Sequence, residues 1–148
     1  MADLVLVGDN ARMQTVENTK KVVTQFLERV GAGADPTAIA SLFSEDVDWL
    51  VPGDERIPWI GRKVGRSGVV DFVRDLRRLT TPIRASIRSV ISEEDNAVAL
   101  LELETRINST GKVIRTEAAF VFTVRDDLIA RFRLFEDSYA VAQALSAQ

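Results

Sequence analysis

The chain has 148 residues, of which 46% are hydrophobic and 28% charged, and this composition fits one globular domain with a core. It contains no cysteine and no histidine, which excludes disulfides, thiolate nucleophiles, Cys/His metal sites and Ser-His-Asp machinery. A net charge of −3 does not indicate a nucleic-acid-binding face, and the N-terminal apolar run is too short to cross a membrane. We therefore expect a cytoplasmic protein with neither nucleic acid nor membrane as a partner.

The N-terminal part of the chain predicts two helices. Residues 1–14 are interpreted as a leader or tail, in which the apolar run at 4–7 is either an added strand or part of that tail. Apolar side chains recur at helical spacing over residues 15–31, with Thr15 as a candidate N-cap and glycines at the end. Asp35, followed by proline, then predicts the start of a second helix.

A strand, a loop and a third helix are predicted next. Residues 46–51 alternate between polar and apolar side chains, as a half-buried strand does. The stretch 52–66 is rich in proline and glycine and predicts a loop. Ser67 is a candidate N-cap for a helix that ends near Leu79 and carries a buried apolar stripe.

Four strands and a short helix complete the predicted fold. Turn residues separate strands over 82–91, 97–107, 112–125 and 129–137, and such short turns predict an antiparallel meander. A C-terminal helix is predicted over residues 138–147, with Asp137 as its N-cap. Helices on one face of a curved antiparallel sheet make an α+β fold, and residues 15–148 are expected to form a single domain.

Alternation divides the side chains of these four strands between two faces of one sheet. The face predicted to meet the helices is mainly apolar and carries Ile83, Ala85, Ile87, Ala97, Ala99, Leu101, Leu103, Thr105, Thr116, Ala118, Phe120, Phe122, Phe132, Leu134 and Glu136. The opposite face is charged, and short turns would place Arg84, Glu104 and Arg115 side by side across three strands. We interpret these charges as a solvated or subunit-facing ladder.

Four segments of the chain resemble SnoaL-like proteins of the nuclear transport factor 2-like superfamily. They are residues 42–53, 58–66, 120–126 and 129–137. The resemblance implies a cone, in which a curved antiparallel sheet wraps around three N-terminal helices and encloses a deep apolar pocket, with a short C-terminal helix. It also implies a homodimer.

Known activities of SnoaL-like proteins and their relatives include polyketide cyclase, ketosteroid isomerase, limonene epoxide hydrolase and dehydratase. The positions that match the polar catalytic sets of the ketosteroid isomerases and limonene epoxide hydrolases are apolar in this chain: Phe26, Trp49, Val51, Leu101, Leu103, Phe120 and Leu134. By resemblance, this chain therefore lacks both of those catalytic mechanisms.

The resemblance and the strand faces together predict a ligand site. Its lining, mainly apolar, is predicted to be Phe26, Trp49, Val51, Trp59, Leu101, Leu103, Thr116, Phe120, Phe122, Phe132 and Leu134. Glu136 is a candidate catalytic acid or base, because a carboxyl group beside an apolar pocket has a raised pKa. Asp54, in the loop, is the second candidate. The alternative places Glu136 at a solvated strand end, and no metal and no cofactor is predicted.

Three functions are consistent with the predicted fold and ligand site. The first is a cofactor-free enzyme that isomerises, cyclises, dehydrates or hydrolyses an apolar metabolite by acid/base chemistry. The second is a non-catalytic carrier or sensor for an apolar ligand. The third is a dimerisation module with a filled core.

Overall fold

The computed structural model describes the backbone of residues 2–146 and the side chains of residues 11–146. Its helices and strands follow one another as α1 (Ala2–Gly31), α2 (Pro36–Ala40), β1 (Phe43–Val51), β2 (Gly61–Val64), α3 (Gly65–Leu79), β3 (Thr80–Glu93), β4 (Asn96–Ile107), β5 (Val113–Arg125), β6 (Leu128–Phe135) and α4 (Ser138–Leu145). The α+β class is confirmed, with a curved, unclosed sheet of six strands. No helix within the described residues is both long and apolar enough to span a membrane.

Helix α1 extends further towards the N-terminus than the predicted helix. Its backbone is helical from Ala2, so the apolar run at 4–7 does not form an added strand. Thr15 lies inside the helix, where its hydroxyl donates to the carbonyl oxygen of Ala11 at 3.0 Å, so its prediction as an N-cap was wrong. At the other end, Gly33 has φ +69°, a left-handed conformation that suits glycine after a helix. The helix packs on β3, β4 and β5.

Helix α2 begins as its sequence predicts, but helix α3 does not. The Asp35 carboxylate accepts a hydrogen bond from the backbone N–H of Thr37 at 3.3 Å. Helix α3 begins at Gly65, two residues before the predicted N-cap Ser67, and its N-cap residue Val64 offers no side-chain cap. The apolar face of α3 packs on β1, β2 and α2.

The strand order, β2-β1-β6-β5-β4-β3, corrects the predicted antiparallel sheet in two ways. Strands β3 to β6 form the expected antiparallel meander, but β1 pairs with β6 in parallel. Strand β2 lies within the stretch predicted as a loop, and it adds to β1 as an edge strand. The parallel pair joins segments far apart in the chain, and the alternation of either strand alone does not reveal its partner.

The predicted charge ladder is confirmed. Arg84 lies opposite Glu104, and Glu104 lies opposite Arg115 on the next strand. The Nη2 atom of Arg115 is 3.1 Å from Oε1 of Glu104. Because these side chains are accessible to water, each pair contributes only about 0–1 kcal/mol.

Edge strand β3 departs from the predicted faces. Ile83, Ala85 and Ile87 were expected to meet the helices, yet all three are exposed. Within the described part of the chain no strand pairs with the outer edge of β3, and bulges at Ile83 and Arg88 shift the alternation of its side chains. A single period-two pattern therefore does not hold along the whole strand.

Arg133 departs from the prediction that the charged outer face is solvated or subunit-facing, because it is buried against Asp48 of the same chain. Arg133 is only 6% exposed, and its Nη2 atom donates to Oδ2 of Asp48 at 2.9 Å. Its Nη1 atom donates to the carbonyl oxygens of Asp48 and Phe132 at 2.9 and 2.8 Å. Nη1 of Arg62 lies 3.0 Å from the same carboxylate, so Asp48 links β2, β1 and β6. The hydrogen bonds from Arg133 and Arg62 hold the pKa of the Asp48 carboxyl below its usual range.

Candidate functional site

A cluster of aromatic rings occupies the interior between the inner face of the sheet and helices α1 and α3. Phe26 of α1 meets Phe122 and Phe132 at centroid distances of 5.4 and 5.6 Å. Trp49 of β1 stacks on Phe132 at 4.1 Å and lies 4.7 Å from Phe72 of α3. Four predicted lining residues thus pack against one another, and edge-to-face and offset contacts of this kind stabilise a core.

The other predicted lining residues surround this cluster. Val51, Trp59, Leu101 and Leu134 are buried. Phe120 is partly buried, with its ring 6.3 Å from that of Phe26. Thr116 and the partly buried Leu103 lie opposite each other on β5 and β4. These side chains are therefore buried or partly buried, while an open apolar pocket among them stays a prediction.

Two buried polar atoms lack a hydrogen-bond partner among the described residues: Nε1 of Trp49 and Oγ of Ser92. The Ser92 hydroxyl rotates freely about its C–O bond and so can seek a partner. The indole N–H is fixed in the plane of its ring. Trp49 is 1% exposed, so its donor is cut off from solvent. Alternation along β1 places Trp49 on the apolar face but does not reveal this donor.

Glu136 lies just beyond the end of β6, beside Thr116 of β5. The Thr116 hydroxyl donates to Oε2 of Glu136 at 2.8 Å, and within the described part of the chain Oε1 accepts no hydrogen bond. Burial raises the pKa of the Glu136 carboxyl, the hydrogen bond from Thr116 opposes that shift, and the neighbouring charge of Asp137 adds to it. Such a carboxyl exchanges its proton nearer to neutral pH than an exposed glutamate does.

Glu136 also borders a groove of about 650 Å³ that crosses the sheet. The groove is lined mainly by apolar side chains and strand backbone, with Leu100, Leu101, Ala118, Ala119 and Phe135 along it and Arg88 and Glu117 at its sides. A second cavity of about 350 Å³ is bordered by Thr116 and Leu103. Both members of the Thr116–Glu136 pair therefore lie next to open space.

Asp54, the second predicted acid, has a different environment. It lies in the loop between β1 and β2, and its carboxylate accepts hydrogen bonds from the Arg56 side chain, the shortest at 2.6 Å. These bonds, with one from the backbone N–H of Arg56, lower the pKa of Asp54 to about 2. A carboxylate with so low a pKa accepts protons weakly at neutral pH, so the geometry favours Glu136.

The family comparison agrees with the fold. Residues 23–132 match the SnoaL-like domain family. The chain belongs to the SnoaL-like family. No curated protein matches the chain. Within the described residues there is no group of three or more Asp or Glu side chains that could hold a metal ion.

Solved structures similar to this SnoaL-like chain share its fold at low identity. An NTF2-like protein of unknown function from Burkholderia pseudomallei is 18% identical, with a TM-score of 0.79 over 88% of this chain and 98% of that one. A protein from Bacillus subtilis described as a candidate isomerase is 19% identical, with a TM-score of 0.75 over 89% and 95%. A candidate SnoaL-like polyketide cyclase from Jannaschia is 16% identical, with a TM-score of 0.74 over 90% and 95%.

Proposed function

We propose that the protein is a cytoplasmic, cofactor-free enzyme that isomerises, cyclises, dehydrates or hydrolyses an apolar metabolite, with Glu136 as the proton-transfer group. The observation that carries this proposal is the Thr116–Glu136 pair, a partly buried carboxyl group with one oxygen oriented and the other without a hydrogen-bond partner among the described residues. A raised pKa suits a group that gains and loses a proton during turnover. The aromatic interior and the isomerase and cyclase descriptions of similar structures support an apolar substrate.

The Thr116 hydroxyl gives the carboxyl group its direction. By donating to Oε2, it fixes the plane of the carboxyl group and leaves Oε1 to exchange a proton with the substrate. The substrate would reach Oε1 from the inner face of the sheet, on which alternation places Glu136. Acid/base transfer at a single carboxyl group is common to all four reaction classes.

The test compares Glu136→Gln with Asp54→Asn in a screen of aryl ketones, epoxides and polyketide-like substrates. Glutamine keeps the acceptor for Thr116 but cannot transfer a proton, so we expect kcat to fall about 100-fold or more with little change in KM. Asp54→Asn should leave turnover unchanged. Full turnover by Glu136→Gln on an identified substrate would refute the role of Glu136.

The second candidate function is an apolar-ligand carrier. It is favoured by the buried or partly buried apolar side chains of Phe26, Phe120 and Leu134, which stand where related enzymes place polar catalytic groups. If the protein is a carrier, the Glu136→Gln variant should bind the ligand as tightly as the wild type does. Both forms should release the ligand chemically unchanged. Mass spectrometry of ligand that co-purifies with each form, before and after incubation, separates the two functions.

A homodimer, formed through the outer face of the sheet, is proposed as the assembly in which this enzyme works. Ile91, Leu100 and Phe135 are 58%, 38% and 47% exposed there, forming an apolar band. One side of the band has an excess of arginine around Asp48, and the other side carries Glu102 and Glu117. Two copies related by a two-fold axis would bring these opposite charges together around a shared apolar centre.

A further inference from the structure

An open cavity of about 670 Å³ lies between α4 and the start of β5, outside the site proposed for Glu136. Its walls are apolar and consist of Val113 and Ile114 on one side and Ala140 and Ala144 of α4 on the other. Two cations, Lys112 and Arg115, also line it, and none of the described residues along it is acidic. Small-molecule sites typically combine an apolar recess with a few polar groups in this way.

Lys112 holds the end of α4 and keeps one hydrogen-bond donor for a ligand. Its Nζ atom donates to the carbonyl oxygens of Ser146 and Gln143 at 3.2 and 3.5 Å. An ammonium group has three N–H donors, so one is left over from these two bonds. The Thr110 hydroxyl donates to the carbonyl oxygen of Ala144 at 2.7 Å. Side chains of the β4–β5 connection therefore hold the last carbonyl groups of α4 and fix the Lys112 charge beside the cavity.

Positive charge is in excess at this end of the sheet. Nη2 of Arg115 lies 3.1 Å from Oε1 of Glu104, and Arg106 lies opposite Val113 on β4. Three cations, Arg106, Lys112 and Arg115, thus accompany one carboxylate here, and the sequence of α4 contains no charged residue. The whole chain has a net charge of −3, so the local excess contrasts with the rest of the molecule. Such an excess attracts an anion.

We propose that this cavity binds a small organic carboxylate, with the charged group between Lys112 and Arg115 and the apolar part against α4 and β5. The site is separate from Glu136 and does not depend on the function proposed for that residue. A single negative charge suits the cavity, because both cations already have partners, the α4 carbonyls and Glu104. A neutral ligand would form no ion pair, and an inorganic anion would leave the apolar walls in water.

A ligand in this cavity would fasten α4 to β5. The helix has eight residues, of which Val141 and Ala144 are buried, and a helix this short depends on packing for its stability. Its N-cap Asp137 accepts a hydrogen bond from the backbone N–H of Ala140 at 3.0 Å. Because the ligand contacts both walls, it binds only the docked helix. At ten times its Kd it should therefore slow hydrogen exchange of the α4 amides about tenfold.

The test titrates 2-naphthoate and its neutral counterpart 2-naphthamide into the ¹⁵N-labelled protein. The carboxylate should shift the amide signals of residues 112–115 and 140–144 and bind about tenfold more tightly than the amide. Arg115→Gln leaves the hydrogen bonds of α4 intact and should weaken binding of the carboxylate about fivefold to tenfold, as should NaCl at about 0.5 M. Arg125→Gln, at the other end of β5, is the matched control and should bind as the wild type does.

Three results would overturn the carboxylate site. They are equal affinity for naphthoate and naphthamide, unchanged affinity in Arg115→Gln, and binding of acetate as tight as that of naphthoate. Shifts confined to Phe120, Leu134 and Glu136 would also refute it, since they place the ligand at the site proposed for Glu136. Glu136→Gln should bind naphthoate in the cavity as the wild type does, so a failure of the catalytic proposal leaves this site standing.

Discussion

The protonation of Glu136 links its chemistry to the stability of the fold. Burial raises the pKa of this carboxyl in the folded protein, so the folded state binds the proton more tightly than the unfolded chain does. The bound proton therefore stabilises the folded protein fully at a pH below the ordinary glutamate pKa of 4.5. This stabilisation is lost as the pH rises through the raised pKa that Glu136 has in the folded state. Each unit of pKa shift corresponds to about 1.4 kcal/mol.

Glu136→Gln should therefore be more stable than the wild type at neutral pH, and the gain should disappear below pH 4.5. Glutamine removes the buried charge while its amide oxygen still accepts from Thr116. Urea denaturation between pH 3.5 and 8 measures the difference in the free energy of unfolding. Glu17→Gln, at an exposed position of α1 outside the proposed interface, is the matched control and should not raise the stability at neutral pH. A constant difference across the range would mean that the carboxyl is solvated in the folded state.

At the scale of a strand pair, Asp48 and Arg133 hold the parallel β1–β6 contact. Removing the Asp48 carboxylate leaves the buried Arg133 guanidinium without its charged partner. Losing one partner of a buried pair costs about 3–5 kcal/mol, but Asp48 is 45% exposed, so water screening reduces the expected loss to about 1–2 kcal/mol.

Asp48→Asn should lower the free energy of unfolding at pH 7, whereas Asp46→Asn on the same strand should change it little. The pKa of Asp48 is lowered in the folded state, so its contribution is present above the usual aspartate pKa of 3.8. That contribution is lost as the pH falls through the lowered folded value, and the gap between Asp48→Asn and wild type should narrow there. Thermal unfolding at pH 7 and pH 2.5 measures both effects. Equal stability of the two variants at pH 7 would show that Arg133 finds other partners.

Local sequence patterns predicted most of these elements but not their long-range partners. The turn at Asp126 and Asp127, both with positive φ, and the Arg84–Glu104–Arg115 register follow from short hairpins, where chain neighbours are also sheet neighbours. The parallel β1–β6 pair and the short strand β2 do not follow, because each depends on residues distant in the chain. The burial of Arg133 was missed for the same reason, since its partner Asp48 lies on that parallel neighbour.

The candidate site shows the same division between what a sequence pattern predicts and what packing decides. Alternation was enough to place Phe120, Leu134 and Glu136 on one face of the sheet. Alternation does not show whether the Glu136 carboxyl is withdrawn from water or lies at a solvated strand end. That depends on packing: the pairing of β5 with β6 brings the Thr116 hydroxyl to 2.8 Å from Oε2 of Glu136. The unsatisfied donor of Trp49 depended on three rings from different elements.

For the whole molecule, the apolar band on the outer face carries the last prediction. Leu100 lies opposite Ala119, and Ala119 lies opposite Phe135, so these side chains are adjacent across three strands. An acidic residue at Leu100 would be desolvated when two copies meet, and it would repel its symmetry mate. Leu100→Glu should therefore convert the proposed dimer to monomer, with a sedimentation coefficient that matches a 16.4 kDa chain. Met13→Glu is the matched control, since Met13 is 61% exposed on α1 and lies outside the band. Identical sedimentation of Leu100→Glu and wild type, both as dimers, would place the interface elsewhere.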